Sequence, residues 1–188
     1  MLVTMEKSWL GKMFSSSPKS QPAPVGPDAD CVDAEGQFNR GLRCATGMGG
    51  GVLDYAQAAD WYRKAAEQDH GLAQFNLAIM YSRGQGVVRD DAQSAVWFDR
   101  AARLGDAGAQ FHLGRSCQRA SMDGLPADAP EARIEAYKWY QLSAAQGYKD
   151  SQDAYATLTF KMTSADVAEA NERIASFVVA NPSKPLLS

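Results

Sequence analysis

Few residues in this sequence could carry out catalysis or bind a metal. The 188 residues include two histidines, His70 and His112, and three cysteines. His112 and Cys117 are five residues apart, which does not place them on one face of a helix, and His70 falls in a turn. A zinc site needs three or four converging ligands. The sequence therefore predicts no metal site and no cofactor.

No other pattern indicates catalysis. The carboxylates fall mainly at predicted helix starts and on polar helix faces, and no Ser/His/Asp or Cys/His arrangement matches a motif for nucleophilic catalysis. The run GMGGG at residues 47–51 could cradle a phosphate. However, no Lys-Ser/Thr pair follows it and no strand precedes it, so a turn is the better interpretation. We expect a protein that is not an enzyme.

Arginine offers a different chemistry. Arg83, Arg115 and Arg119 occupy related positions in an internal sequence repeat, which is described below. Guanidinium groups pair with carboxylates through two parallel hydrogen bonds, so arginines gathered on one surface favour an acidic peptide or protein partner. Simple solvated arginines are the alternative.

The elements that must position these arginines come from an internal repeat. The segment from Phe75 to Gln110 shows two helical apolar patterns, separated by Gly84 and Gly86 and ended by Gly105. The same text restarts at Phe111, which gives a period of 36 residues (111 minus 75). One helical hairpin cannot bury its apolar face alone, whereas a stack of them can. We call the two helices of each copy the opening and closing helix.

Local signals place the helices. Asp54 with Gln57, and Asp90 with Gln93, have the spacing of a capping box before two closing helices. The third copy carries six more residues than the middle copy (Trp139 minus Trp97 is 42). We place this surplus between its helices, at Arg119–Pro130, with a helix start at 128–131 and an end near Gln146.

Two further helices are predicted to end the array. One runs from Ser151 to about Lys161, and a final one follows a cap formed by Thr163 and Asp166. The final helix should bury a stripe that starts at Val167 and should expose a polar face. The predicted stripe is Val167, Ala170, Ile174, Phe177 and Val178, and the predicted exposed residues are Glu169, Glu172 and Arg173.

The resulting organisation is a tail, an all-α array and a short end. Residues 1–33 form a flexible tail with a Ser/Pro-rich linker, in which Leu2, Met5, Trp9 and Met13 could lie on one face of a short amphipathic helix. That helix could be frayed, dock onto protein or attach to a membrane surface. The repeats cover 34–74, 75–110 and 111–152, terminal helices cover 151–180, and residues 181–188 form a disordered tail.

Charge and cysteine content limit the classes of partner and the cellular compartment that we expect. A formal charge of −3 gives no basic field for nucleic acid, and no run approaches the roughly 18 apolar residues that span a bilayer. Cys44, Tyr81 and Cys117 share one repeat position, so stacking would separate the two cysteines by roughly 15–20 Å. A disulfide needs about 7 Å between Cα atoms. We expect reduced thiols, a cytoplasmic monomer and, as alternatives, a periplasmic or membrane-peripheral location.

Aromatic residues repeat with the same period. Such strict repetition at helical spacing is typical of a core between repeats rather than of a ligand cage. The ladder consists of Trp61, Trp97 and Trp139 followed in each copy by Tyr62, Phe98 and Tyr140.

Together these residues resemble the Sel-1-like repeat (SLR) family, which is related to the tetratricopeptide repeat. The middle copy carries the pattern in Ala73, Phe75, Leu77, Ala78, Tyr81, Gly84, Gly86, Val87, Asp90, Trp97, Phe98, Ala101, Ala102 and Gly105. The third copy carries it in Ala109, Leu113, Gly114, Trp139, Tyr140, Ala144 and Gly147. Departures are Arg40 at a leucine position, the long loop of the third copy, Cys117 at a tyrosine position, and the missing paired cysteines of the secreted branch.

The resemblance implies an α-solenoid adaptor that binds a protein or peptide on its concave face. Positions two and six after the pattern leucine should point inward on each opening helix, together with nearby polar residues. The candidate binding residues are Asn39, Leu42, Asn76, Ile79, Arg83, His112, Arg115 and Arg119. The alternative function is a membrane- or envelope-associated regulator tethered by residues 1–14.

Overall fold

The computed structural model describes residues 33–123 and 129–180, and within them it contains eight α-helices and no strand. The all-α prediction is therefore confirmed for the described residues. The helices are α1 (Ala34–Thr46), α2 (Tyr55–Ala66), α3 (Gly71–Arg83), α4 (Asp91–Arg103), α5 (Ala107–Asp123), α6 (Ala129–Ala145), α7 (Lys149–Thr159) and α8 (Ser164–Ala180).

The helices pack in chain order, as an α-solenoid requires. The first repeat pairs α1 with α2, the middle repeat pairs α3 with α4, and the third pairs α5 with α6. Each closing helix then packs on the next opening helix. The helices α3 and α5 start 36 residues apart (107 minus 71), which reproduces the period of the sequence. Both start four residues before the phenylalanines, Phe75 and Phe111, from which that period was counted.

The third repeat corrects one prediction. Its surplus residues do not lengthen the connection between its helices, because α5 continues to Asp123 and α6 begins at Ala129. Both helices have 17 residues, against 13 for α3 and α4. Only residues 124–128 separate them, so most of the predicted loop is helix.

Aspartate caps begin the closing helices, but the predicted capping box is only half formed. Asp54 Oδ1 accepts from the backbone N–H of Gln57 (2.9 Å), and Asp90 Oδ1 accepts from that of Gln93 (2.9 Å). The backbone N–H of Asp54 is donated to the Cys44 carbonyl instead of to a glutamine side chain (2.9 Å). Asp90 donates to the carbonyl of Tyr81, the equivalent residue, at 3.0 Å. These bonds tie each closing helix to its opening helix.

The aromatic ladder forms the core with one exception. Tyr62, Phe98 and Tyr140 are buried, as are Trp97 and Trp139.

The exception is Trp61, which is half-buried. The Arg40 guanidinium lies 4.8 Å from its ring centroid and the Lys64 ammonium 4.3 Å. Cations held over an indole ring are attracted to its negative face. Arg40, which breaks the leucine pattern, thus has a packing role in the first repeat.

The last helix closes the array differently from the repeats. Its predicted cap is confirmed, because Asp166 accepts from the Thr163 N–H (3.0 Å) and Thr163 Oγ1 accepts from the Asp166 N–H (3.2 Å). Helix α8 packs on α6, where Ala170 joins the core and Val167 and Ile174 lie against it.

The predicted polar outer face of α8 needs a correction at Arg173. Its guanidinium faces α6, where it contacts Glu131 and Glu135 (2.8 Å to the latter), and it also contacts Glu169 on its own helix. Arg173 therefore joins two helices instead of facing solvent.

Some predictions fall on residues 1–32, 124–128 and 181–188, which lie outside the described residues. They concern the amphipathic tail, the Ser/Pro-rich linker, Cys31, the capping role of Asp128 and the C-terminal end. Within residues 33–123 and 129–180, no helix combines the length and apolar character needed to cross a membrane.

Candidate functional site

Helices α3 and α5 bring three of the predicted binding residues together. Arg83 is the last residue of α3, and His112 and Arg115 lie on α5 one turn apart. The His112 ring stacks on Phe98 of the intervening helix α4, with 4.5 Å between centroids and 10° between planes. Its edge also meets Phe75, with centroids 6.0 Å apart. This aromatic packing fixes the orientation of the imidazole.

The charges of Arg115 and Arg83 act on the His112 imidazole. Its pKa is lowered from the ordinary 6.5 to about 4, chiefly by burial and in smaller part by the positive charges of Arg115 and Arg83. A histidine with such a pKa is neutral near pH 7, so one ring nitrogen donates and the other accepts. Within the described residues, neither nitrogen has a hydrogen-bond partner. The site therefore offers a neutral imidazole in the electrostatic field of two arginines.

Arg115 and Arg119 are exposed on successive turns of α5. Throughout residues 33–123 and 129–180, neither forms an ion pair, although Arg63, Arg89 and Arg103 each do. Arg115 lies over the Phe111 ring, with its guanidinium carbon 5.8 Å from the centroid.

Arg119 extends this surface toward the turn before α4. The pKa of the Asp91 carboxyl is lowered mainly by its hydrogen bond with Arg89, and the charge of Arg119 adds to that effect. We call Arg83, Arg115 and Arg119, together with the neutral His112, the arginine surface.

The other predicted residues have different placements. Asn39 donates to Glu35 one turn earlier on α1 (3.1 Å), and Leu42 is half-buried. Asn76 and Ile79 are buried, with 5% and 3% of their surface exposed. A partner could reach them only if neighbouring helices moved, so we leave these two out of the arginine surface.

A family model for the Sel1 repeat matches this chain three times, at residues 34–70, 71–106 and 107–148. These matches cover more than half of the chain and coincide with the helix pairs α1–α2, α3–α4 and α5–α6. The chain belongs to the Sel1 repeat family. Proteins of this family are generally protein–protein interaction modules. No curated protein matches the chain.

Two solved structures resemble this Sel1 repeat protein. A Sel1 repeat protein from Oxalobacter formigenes is 30% identical, with a TM-score of 0.56, over 68% of this chain and 91% of that one. A protective antigen of uropathogenic Escherichia coli that displays an SLR fold is 18% identical, with a TM-score of 0.58, over 79% of this chain. This chain spans 38% of the length of that antigen, and the likeness shows the fold alone.

The structure also reveals a row of buried glutamines that the sequence interpretation missed. Gln37, Gln74 and Gln110 occupy one position of the three Sel1 repeats and are 9%, 0% and 2% exposed. Gln74 Nε2 donates to the Ala66 carbonyl (3.0 Å), and Gln110 Nε2 donates to the Ala102 carbonyl (3.2 Å). These bonds tie each opening helix to the preceding closing helix. Their spacing of 37 and 36 residues was the signal that could have found them.

The thiols and His70 serve the fold. Cys44 and Cys117 are free and half-buried, and burial raises the pKa of both thiols, which makes them weak nucleophiles at neutral pH. His70 caps α3, where its Nδ1 accepts from the Ala73 N–H (3.2 Å) and its Nε2 contacts Glu35 (3.1 Å). Among the described residues, no three His, Cys, Asp or Glu side chains are grouped as metal ligands would be.

Proposed function

We propose that this Sel1 repeat protein is a non-catalytic interaction module that binds an acidic protein or peptide segment on its arginine surface. The observation that carries the proposal is the exposed pair Arg115 and Arg119, which stand on successive turns of α5 without a carboxylate partner among the described residues. Two guanidinium groups at this spacing can each donate hydrogen bonds to a carboxylate of the same peptide segment.

His112 adds selectivity to this surface. Because its imidazole is neutral near pH 7 and held by Phe98, it can hydrogen-bond a ligand without reorienting. A carboxylate between Arg83 and Arg115 would accept from both cations and from the imidazole N–H. The ring would then stabilise an anion that is already drawn in by charge.

The overall charge of the chain means that the attraction of an acidic ligand is local to the arginine surface. The formal net charge is −3, so an acidic ligand is repelled on average and is attracted only where arginines gather. Binding should therefore depend on position within the surface and weaken with added salt.

A labelled octaglutamate peptide tests the proposal at 150 mM salt by fluorescence anisotropy. Substituting both Arg115→Glu and Arg119→Glu should abolish binding while the circular dichroism spectrum and melting temperature stay unchanged, because both side chains are exposed. Arg63→Glu with Arg103→Glu makes the same change in net charge at two arginines that are already ion-paired and lie outside the arginine surface. That control should retain most of the affinity.

Two results would count against the proposal. One is an affinity for octaglutamate that survives the Arg115 and Arg119 reversal. The other is an equal loss in the control pair, which would show that net charge alone governs the interaction.

A further inference from the structure

The buried glutamines of the first and third Sel1 repeats each receive a hydrogen bond within their own repeat. Gln68 Nε2 donates to Gln37 Oε1 at 2.8 Å. Gln146 Nε2 donates to Gln110 Oε1 at 2.9 Å. Gln68 and Gln146 occupy the same place just after a closing helix, so the chain uses one device twice.

The middle repeat lacks this donor. Leu104 occupies the equivalent position (36 residues after Gln68 and 42 before Gln146), and Gln74 Oε1 is buried without a hydrogen-bond partner. The amide orientation is well defined, because Nε2 faces two acceptors, the Ala66 carbonyl at 3.0 Å and Asp69 Oδ1 at 3.4 Å. A buried acceptor without a partner is costly, since it has lost its water and gained nothing in return.

Two exposed leucines lie at this end of the middle repeat, and one of them, Leu104, holds the position from which Gln68 and Gln146 donate in the other repeats. Leu104 retains 44% of its surface and Leu72 retains 50%. Leu104 lies beside Gly71, where an added Cβ would be 3.8 Å from the Leu104 Cβ, and Leu72 is the next residue of α3. The first and third repeats have Glu35 and Gly108 at the position of Leu72. Among the three repeats, the middle one therefore combines exposed leucines at these two positions with an unsatisfied buried acceptor.

The charges around this place decide which ligand fits. Asp69, whose carboxylate contacts the Gln74 amide, and Glu67 are both exposed. These carboxylates repel an anionic ligand and favour a group that donates N–H bonds.

We propose that Leu72, Leu104 and Gln74 form a second docking site, which takes a peptide segment with a glutamine beside an apolar residue. The peptide glutamine displaces the Leu104 side chain and donates its amide N–H to Gln74 Oε1, as Gln68 and Gln146 do in the neighbouring repeats. Its apolar residue packs on the two leucines. This site is independent of the arginine surface.

The capped dipeptide N-acetyl-Leu-Gln-amide is the probe, followed by ¹H–¹⁵N NMR on the whole chain. A single amide bond and one apolar contact correspond to a millimolar Kd. Addition of the probe should shift the side-chain amide signals of Gln74. The variant Leu104→Gln supplies the donor internally, so it should melt at a higher temperature and lose at least tenfold in affinity. N-acetyl-Leu-Glu-amide, which replaces the amide donor by a carboxylate, should not bind.

Matched variants separate this site from other causes. Val88→Gln makes the same kind of change at another exposed apolar residue (87% exposed) and should leave probe binding intact. The double reversal of Arg115 and Arg119 should also leave it intact, so the two proposals fail separately. No shift at saturating probe, equal shifts with the Leu-Glu peptide, or full binding by Leu104→Gln would each overturn the proposal.

Discussion

A Cβ atom at Gly86 would lie 2.2 Å from both the carbonyl carbon and the carbonyl oxygen of Tyr55. Gly86 belongs to the turn between α3 and α4, and Tyr55 begins α2, so the turn of one repeat rests directly on the helix start of the preceding repeat. The φ of Gly86, +69°, is also in the left-handed region. Sterics and backbone conformation thus require glycine here for separate reasons.

We expect Gly86→Ala to lower the free energy of unfolding by about 3 kcal/mol, by adding overpacking against rigid backbone to the left-handed penalty. Gly49 is the matched control, because its φ is +83° but an added Cβ meets nothing within 4 Å. Gly49→Ala should therefore cost only about 1–2 kcal/mol, the left-handed penalty alone. Urea unfolding measures both losses, and equal losses would show that the Tyr55 contact is unimportant.

A second close approach lies inside the third repeat, where a Cβ on Gly114 would be 2.6 Å from the Tyr140 ring. Alanine favours helix by about 1 kcal/mol over glycine, and overpacking costs about 1–3 kcal/mol. We expect Gly114→Ala to destabilise the protein by about 1 kcal/mol. Gly71→Ala, where the nearest atom is at 3.8 Å, should be neutral or slightly stabilising. A gain in melting temperature for Gly114→Ala would contradict the packing argument.

The sequence was a good guide wherever a structural feature depends on nearby residues. A glycine turn and an aspartate cap are local, so the start of α4 could be predicted from Gly84, Gly86 and Asp90. The repeat then predicts the same local structure in the other copies, because equivalent residues recur after 36 residues. The prediction for the third repeat was wrong because extra residues can lengthen helices as readily as they can lengthen a loop.

Contacts between distant residues could not be predicted in this way. Arg173 looked solvent-facing from its own helix, yet its partner Glu131 is 42 residues away. The family resemblance predicts Ile79 on the inner face with Asn76 close by, whereas burial by neighbouring helices decides whether a partner can reach either residue. Gln74 Oε1 lacks a hydrogen-bond donor because a leucine, and not a glutamine, follows the closing helix of its repeat. Only a comparison of the three repeats reveals this difference.

The lowered pKa of His112 makes stability depend on pH. Its pKa falls from an ordinary 6.5 to about 4 on folding, chiefly through burial, so the unfolded chain binds the proton more readily. Stability is therefore full above pH 6.5 and declines as the pH falls toward 4, by about 3 kcal/mol in total. The variant His112→Phe keeps the ring stacked on Phe98 but cannot be protonated, so it should lose this part of the pH dependence.

Urea unfolding at pH 7.5 and pH 4.5 measures the effect as a difference between the wild-type protein and His112→Phe, which cancels the titration of carboxylates. The difference in unfolding free energy between the wild-type protein and His112→Phe should change by about 2 kcal/mol between the two pH values. Arg115→Gln should raise the His112 pKa in an NMR titration, because it removes one of the two nearby cations. An ordinary histidine pKa in the wild-type protein would contradict the geometry.

The contact of Arg173 with three carboxylates stabilises the packing of α8 on α6. Its side chain is 28% exposed, and removing it would leave Glu131, Glu135 and Glu169 to repel one another. Exposed pairs contribute about 0.2–1 kcal/mol each, so we expect Arg173→Ala to cost about 1 kcal/mol at pH 7 and less in high salt.

The hydrogen bond from Arg173 lowers the pKa of Glu131, so this stabilisation is present above the ordinary glutamate pKa and disappears as the pH falls through the lowered value. Arg103→Ala is the control, because the pair of Arg103 with Asp99 is exposed and lies within α4. It should cost about 0.5 kcal/mol or less. Thermal unfolding at pH 7 and pH 3 would decide the matter. A cost for Arg173→Ala that is the same at both pH values would mean that the side chain acts through packing and not through charge.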